Sequence, residues 1–375
     1  MVLLFVVLLL IICSAPAQSQ EFPEKLGRID ITSKGSPIVI GGRYPTWVYR
    51  ERQSTVYPIR LRDGQLPDVW IIEAQNKELN DFGIHFDVIQ FNPNPEAPED
   101  WNRLRSNFLR VGNMRPFCLL YEHHMATRYL WIRQDGKRHH IDLSTPHNKR
   151  VFFEDMEFML RNIIIPHEKN YISLNGKALI YLWAAPVFWN AGPVLKEAKQ
   201  KYPIAFISGE DGFYPHEEPH AIERIKQVDI IMPYSLNRAA QYAGRYGTMI
   251  EKYMAGLYEW ARHLEEHSPE TILYARMQFA FDDTNSTASL GRLPLYPDSI
   301  CQVETLAERI IQIMTEITAE RSVKHWGVFV IASEYFEGDA CETSFPPSPS
   351  AKNFLIREAL SGTARLNILR RFFVK

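Results

Sequence analysis

The run Ser333-Glu334-Tyr335-Phe336-Glu337-Gly338-Asp339-Ala340-Cys341-Glu342 is the densest group of carboxylates in the chain, and it directly follows the most strand-like segment. Glu334 and Glu337 stand at i and i+3, so a turning loop would bring both carboxyls to one cleft. Glycoside hydrolysis asks for such a pair: one carboxylic acid protonates the leaving oxygen, and a second group attacks the anomeric carbon or assists the attack. A carboxyl beside a second carboxylate has its pKa raised, which a general acid working near neutral pH requires. Other chemistries lack their motifs. The sequence has no GxSxG elbow, no Walker loop, no GxGxxG after a strand and no HExxH helix. His123-His124 and His139-His140 lie in a long polar insertion, where adjacent histidines point apart on regular structure. They read as a solvated loop able to touch substrate, and no metal or other cofactor is expected.

A catalytic loop needs elements that hold it, and the chain supplies an alternation of short apolar runs with longer amphipathic stretches. The first strand runs through YPTWVYR (44–50) or through its competitor PIVIGG (37–42). Further strands are expected at HFDVIQFN (85–92), RPFCLLYE (115–122), GKALIYLWA (176–184), PIAFISGE (203–210), VDIIMPY (228–234), TILYARMQFAF (271–281) and HWGVFVIASE (325–334). Helical spacing is read over 69–81, from about Pro98 to Val111, and over 151–164, 186–201, 219–226, 240–266 and 300–320, with a last helix closing the chain. About eight strands alternating with about eight helices is the arithmetic of one (β/α)8 TIM barrel, whose active site forms where strands end and loops begin. Several expected strands finish in polar residues, so Trp47, Asn92, Glu122, Glu210 and Tyr234 are candidate sugar contacts, and Glu342 joins them from the acidic cluster. Taken singly, each of these side chains would serve equally well as a cap or a packing residue.

The chain has 375 residues, with 42 Lys and Arg against 44 Asp and Glu, and a net charge of −2 speaks against nucleic acid or an anionic membrane as partner. Hydrophobic residues make up 46% and charged residues 23%, the balance of a folded globular protein. The 8 Trp, 17 Tyr and 21 Phe include enough flat rings for a sugar platform, although most are expected in the core. Residues 2–13, VLLFVVLLLIIC, are too short to span a bilayer but fit a signal-peptide core, and Ala15-Pro16-Ala17 offers a cleavage pattern. Residues 1–17 are thus expected to be removed, leaving residues 18–375 as one exported domain without stable membrane insertion; the alternative, from the lack of Lys or Arg before the apolar run, is retention as a short uncleaved anchor. Asn285-Ser286-Thr287 is a glycosylation sequon for a eukaryotic host. Four Cys exclude a disulfide scaffold; Cys118 reads as a buried strand residue, and Cys301 and Cys341 lie in loop-like contexts.

The segment ASEYFEGDACE (332–342) resembles the NEWHEGTxIEP signature of glycoside hydrolase family 99 and its relatives, the endo-α-mannosidases and WbsX-like proteins. NDFGIHFDVIQFN (80–92), FCLLYE (117–122), YISLNGKALIYLW (171–183) and FAFDDT (279–284) are similar to further segments of that family in order and spacing. The resemblance implies a (β/α)8 barrel and a retaining, endo-acting hydrolase of an α-linked, mannose-containing oligosaccharide or polysaccharide. It implies that Glu337 is general acid and then base, and that Glu334 is the base on the sugar 2-hydroxyl, giving a 1,2-anhydro sugar intermediate without a metal. Around that pair the signature is altered, with Ser333 for Asn, Tyr335 for Trp, Phe336 for His, Asp339 for Thr and Thr343 for Pro. Two other readings follow from these changes and from the family: a non-catalytic glycan-binding barrel, and a WbsX-like role in polysaccharide assembly.

Overall fold

The computed structural model describes residues 22–27, 29–31, 38–43, 86–91, 114–122, 128–210, 212–233, 246–277, 300–320 and 326–333, with isolated helical positions at 69–80, 109–112 and 368–372. Its strands are β1 (Ile29–Asp30), β2 (Ile38–Arg43), β3 (Asp87–Phe91), β4 (Phe117–Tyr121), β5 (Trp131–Gln134), β6 (Lys137–Asp142), β7 (Ile172–Leu174), β8 (Lys177–Leu182), β9 (Phe188–Trp189), β10 (Ile204–Glu210), β11 (Ile230–Pro233), β12 (Ile272–Met277) and β13 (Trp326–Ser333). The longer helices are α1 (Pro146–Met159), α2 (Ala191–Lys201), α3 (Pro219–Ile225), α4 (Tyr246–His267) and α5 (Ile300–Glu320).

The main sheet runs β3-β4-β8-β10-β11-β12-β13-β2, and every ladder along that path is parallel. Strands β8, β10, β11, β12 and β13 are separated in the chain by α2, α3, α4 and α5, one longer helix to each crossover among the described residues. Among the described residues no ladder joins β2 to β3, although the two strands lie side by side. The observed sheet is therefore a parallel arc with one seam, short of a demonstrated closed barrel.

Burial explains why these strands could be read as continuous apolar runs. FCLLY of β4, IAFISGE of β10 and IIMP of β11 are buried at every position, as strands covered on both faces must be. Gly209 shows how tightly the inner layer fits, because a Cβ there would stand 2.7 Å from the Tyr181 ring. At the start of β3, buried Asp87 accepts a hydrogen bond from Arg115 Nε at 3.2 Å, an ion pair between groups almost wholly out of water.

The structure corrects the sequence reading in several places. Of the two competing segments near the start of the chain, PIVIGG is strand, as β2 (Ile38–Arg43), and residues 44–50 lie outside the described residues. YISLNGKALIYLW is a hairpin of β7 and β8, turned at Asn175 (φ 54°) and Gly176 (φ 74°), the left-handed pair a two-residue turn demands. The polar insertion is not all loop. β5 and β6 pair antiparallel around Asp135 and Gly136, and β9 adds to β6 in a separate small sheet. The helix read over 186–201 starts only at Ala191, after a short turn and β9. Cys118 is buried as expected; Cys301 is exposed on α5, and Cys341 and Asn285 lie outside the described residues.

Candidate active site

In a parallel sheet all carboxyl ends share one edge, so β4, β8, β10 and β13 deliver Glu122, Trp183, Glu210 and Ser333 to the same rim. Ser333 is in register with Arg43, the last residue of β2, and Glu334 is the next residue in sequence. Glu334, Glu337, Glu342, Trp47, Asn92 and Tyr234 lie outside the described residues.

Glu122 is buried to 4% exposure, and its backbone N–H donates to the Phe91 carbonyl at 3.1 Å, which ties the ends of β3 and β4 together. Next along the rim, the Trp183 N–H donates to the Tyr121 carbonyl at 3.2 Å and leaves a half-buried indole beside β4. Glu210 behaves differently from the expectation of a sugar contact. It is fully buried, one carboxylate oxygen accepts from Ser208 Oγ, and the other accepts from Arg224 at 2.7 Å. Arg224 belongs to α3, so the carboxylate turns toward the helix layer and anchors β10 to its own crossover helix.

The small sheet sits beside the rim because both its connections leave from carboxyl ends, those of β4 and β8. Asn148 of α1 fastens it: its side-chain amide donates to the carbonyls of Leu130 (3.0 Å) and Asp142 (2.9 Å), and its oxygen accepts from Leu130 N–H at 2.8 Å. Behind this clasp, Tyr121 Oη donates to Asp155 at 2.6 Å, and Arg128 reaches the second oxygen of the same carboxylate at 2.7 Å. Burial pushes the Asp155 carboxyl up to about 7, against the downward pull of the Tyr121 hydrogen bond and the Arg128 charge.

His139 is exposed and His140 half-buried, and both stand on β6 rather than in a loop. Their Nδ1 atoms meet at 2.6 Å, and His140 stacks on Trp189 with centroids 3.7 Å apart, while His220 of α3 leans on the same indole at 4.8 Å. Desolvation first, then the neighbouring histidines, hold His140 below the usual imidazole range, which favours an uncharged aromatic shelf. Sequence reasoning missed Trp183 and Trp189; the recurrence of Trp just after an apolar run was the available signal. A groove of about 600 Å³ lined by Phe22, Glu157, Arg161, Lys177, Lys201 and Tyr202 lies at the other edge, since Lys177 opens β8 and Pro203 precedes β10. It is remote from the strand ends that would carry chemistry.

The fold places the chain among α/β proteins built on a parallel sheet with helical crossovers. It is similar to two solved structures of the family 99 endo-α-mannosidase from Bacteroides thetaiotaomicron. One, in complex with bis-tris propane, has a TM-score of 0.54 at 12% identity over 85% of this chain and 88% of that one. The other has a TM-score of 0.52 at 11% identity over 89% of this chain and 97% of that one. At such identities the likeness is one of fold. No family model and no curated protein matches the chain.

Proposed function

We propose that the chain is an exported glycoside hydrolase with a closed (β/α)8 barrel, cleaving within an α-linked, mannose-containing glycan. The observation that carries this reading is the place of β13 in the sheet: its last residue, Ser333, stands at the carboxyl edge shared by Glu122 and Trp183, and Glu334 is the next residue in sequence, in a fold similar to an endo-α-mannosidase. In this reading Glu334 takes the proton of the sugar 2-hydroxyl as that oxygen closes on the anomeric carbon, and Glu337 gives its proton to the departing glycosidic oxygen. A 1,2-anhydro sugar results. Glu337, now a carboxylate, takes a proton from water as the water opens the ring, and Glu334 returns its proton to the 2-oxygen, so the anomeric configuration is retained. Glu122 and Trp183 line the cleft together with Trp47, Asn92, Tyr234 and Glu342, and Glu210 positions the β10 loop through Arg224 without touching sugar.

The test incubates the purified chain and its Glu337→Gln variant with α-mannans, α-glucans and high-mannose glycans, following released oligosaccharides by mass and anomeric configuration. Release with retention by the wild type, lowered at least about a hundredfold in the variant, is expected for a lost general acid. The altered residues Ser333, Tyr335 and Phe336 favour a second reading, a glycan-binding barrel without turnover. Glycan binding with no release by either protein would select it.

A further inference from the structure

A second polar constellation lies on the outer helix layer, away from the carboxyl rim. α4 buries a stripe that includes Met249, Tyr253, Gly256, Trp260, His263 and Leu264, so His263 is an imidazole set among apolar residues. His267 follows it by four residues, one turn along the same face. From the loop before α3, Glu217 reaches the pair, and one ligand atom from each of the three residues lies within 4.8 Å of the others. The close approach is built in. A Cβ at Gly256 would stand 2.4 Å from the Phe213 carbonyl oxygen, so only glycine lets this loop lie against α4.

His263 itself supplies the second observation. The residue is 1% exposed, yet its Nε2 has no hydrogen-bond partner, and its Nδ1 meets a Glu217 oxygen at only 3.5 Å. Nε2 lies on the ring edge opposite Nδ1, so the carboxylate-facing Nδ1 is the nitrogen that would bind a metal, and the unpartnered Nε2 is not part of the site. The 3.5 Å separation is close to the spacing of about 3.3 Å that two ligands adopt around a tetrahedral zinc ion with bonds of about 2.0–2.2 Å. Two imidazoles and one carboxylate suit zinc and its first-row neighbours, whereas calcium and magnesium take oxygen ligands.

We propose that Glu217, His263 and His267 form a three-ligand site for a divalent transition metal, zinc above all, that pins the loop after β10 onto α4. His267 is 22% exposed and Glu217 63% at the side chain, so the open side of the site faces solvent and leaves room for a water ligand. The site stands near the amino end of β12, which starts at Ile272, and its role is structural rather than part of the sugar chemistry. This inference does not rest on the proposed hydrolase activity.

The test strips the full chain with a chelator and titrates zinc chloride against a chromophoric competitor, with thermal unfolding recorded in parallel. Wild type should take up one equivalent more than the Glu217→Gln/His267→Ala double variant and unfold at a higher temperature with zinc than without. Each single variant should bind at least tenfold more weakly; both altered side chains contact solvent, so folding is preserved and is checked by circular dichroism. Cobalt(II) in place of zinc should give the intense visible absorption of a four-coordinate centre in wild type only. Equal zinc uptake by wild type and double variant, or uptake without any shift in unfolding temperature, would overturn the proposal.

Discussion

Two buried carboxylates near the rim are held in opposite ways. Glu210 meets a guanidinium as deeply buried as itself, with both side chains 1% exposed, and Ser208 completes the arrangement. Asp155 is 1% exposed too, but its cationic partner Arg128 is 29% exposed and shared with Glu154, and its other contact is the phenol of Tyr121. A counter-charge sealed in the same low-dielectric space makes a fixed strut between strand and helix. A partner that still touches water compensates less, and burial then carries the Asp155 carboxyl up to about 7. The β10 side of the rim is therefore locked by an ion pair, whereas the insertion over β4 is closed by a clasp whose central acid titrates in the working range of a cell.

Removing one member of the sealed pair gives the largest expected effect. Arg224→Met leaves the Glu210 carboxylate buried without its cation and should cost about 3–5 kcal/mol of stability, measured by urea unfolding. Replacing both partners, as Glu210→Leu/Arg224→Met, should recover most of that loss. A single variant that unfolds like the wild type would show that Glu210 reaches solvent after all, and would return it to the list of sugar contacts.

Asp155 offers the converse test. Its folded pKa of about 7 lies above the ordinary 3.8, so between these values the folded chain holds a proton that the unfolded chain has released. The stabilising proton is present at low pH, and its contribution is lost as pH rises toward 7. Asp155→Asn should remove that slope: relative to wild type, the variant should gain about 3 kcal/mol at most between pH 4.5 and 7.5, at about 1.4 kcal/mol per unit of pKa. Parallel stability curves for the two proteins would mean that Arg128 compensates the buried charge fully.

What could be read from sequence follows the same division. Strands β4, β8, β10 and β11 are buried on both faces, so their sequences are unbroken apolar runs that local pattern suffices to find. The hairpin of β5 and β6 escaped because WIRQ is exposed from Ile132 to Gln134 and KRHHID is polar in sequence, and only the turn at Asp135-Gly136 betrays it. Glu210 was legible as a strand-terminal acid but not in its direction, since Arg224 sits fourteen residues on and comes within reach only when α3 folds back. Likewise the spacing of His263 and His267 is plain in the sequence, while Glu217 joins them through tertiary contact alone.

The smallest expected effect probes the clasp at its hinge. Asn148 is 1% exposed and makes three hydrogen bonds across the base of the hairpin, so Asn148→Ala cannot simply leave those groups dry. The less costly response is for the hairpin to lift and let water replace the amide, which limits the global loss to about 1 kcal/mol. Hydrogen exchange over residues 130–142 should accelerate strongly while the strands of the main sheet keep their protection. Lifting the hairpin also wets Tyr129 and Asp155, and that removes the burial which raises the acid. The Asn148→Ala chain should then lose the pH slope even though Asp155 is intact. If the slope persists in a chain whose hairpin exchanges freely, the desolvation of Asp155 comes from β4 and α1 alone, and the insertion covers the rim without tuning it.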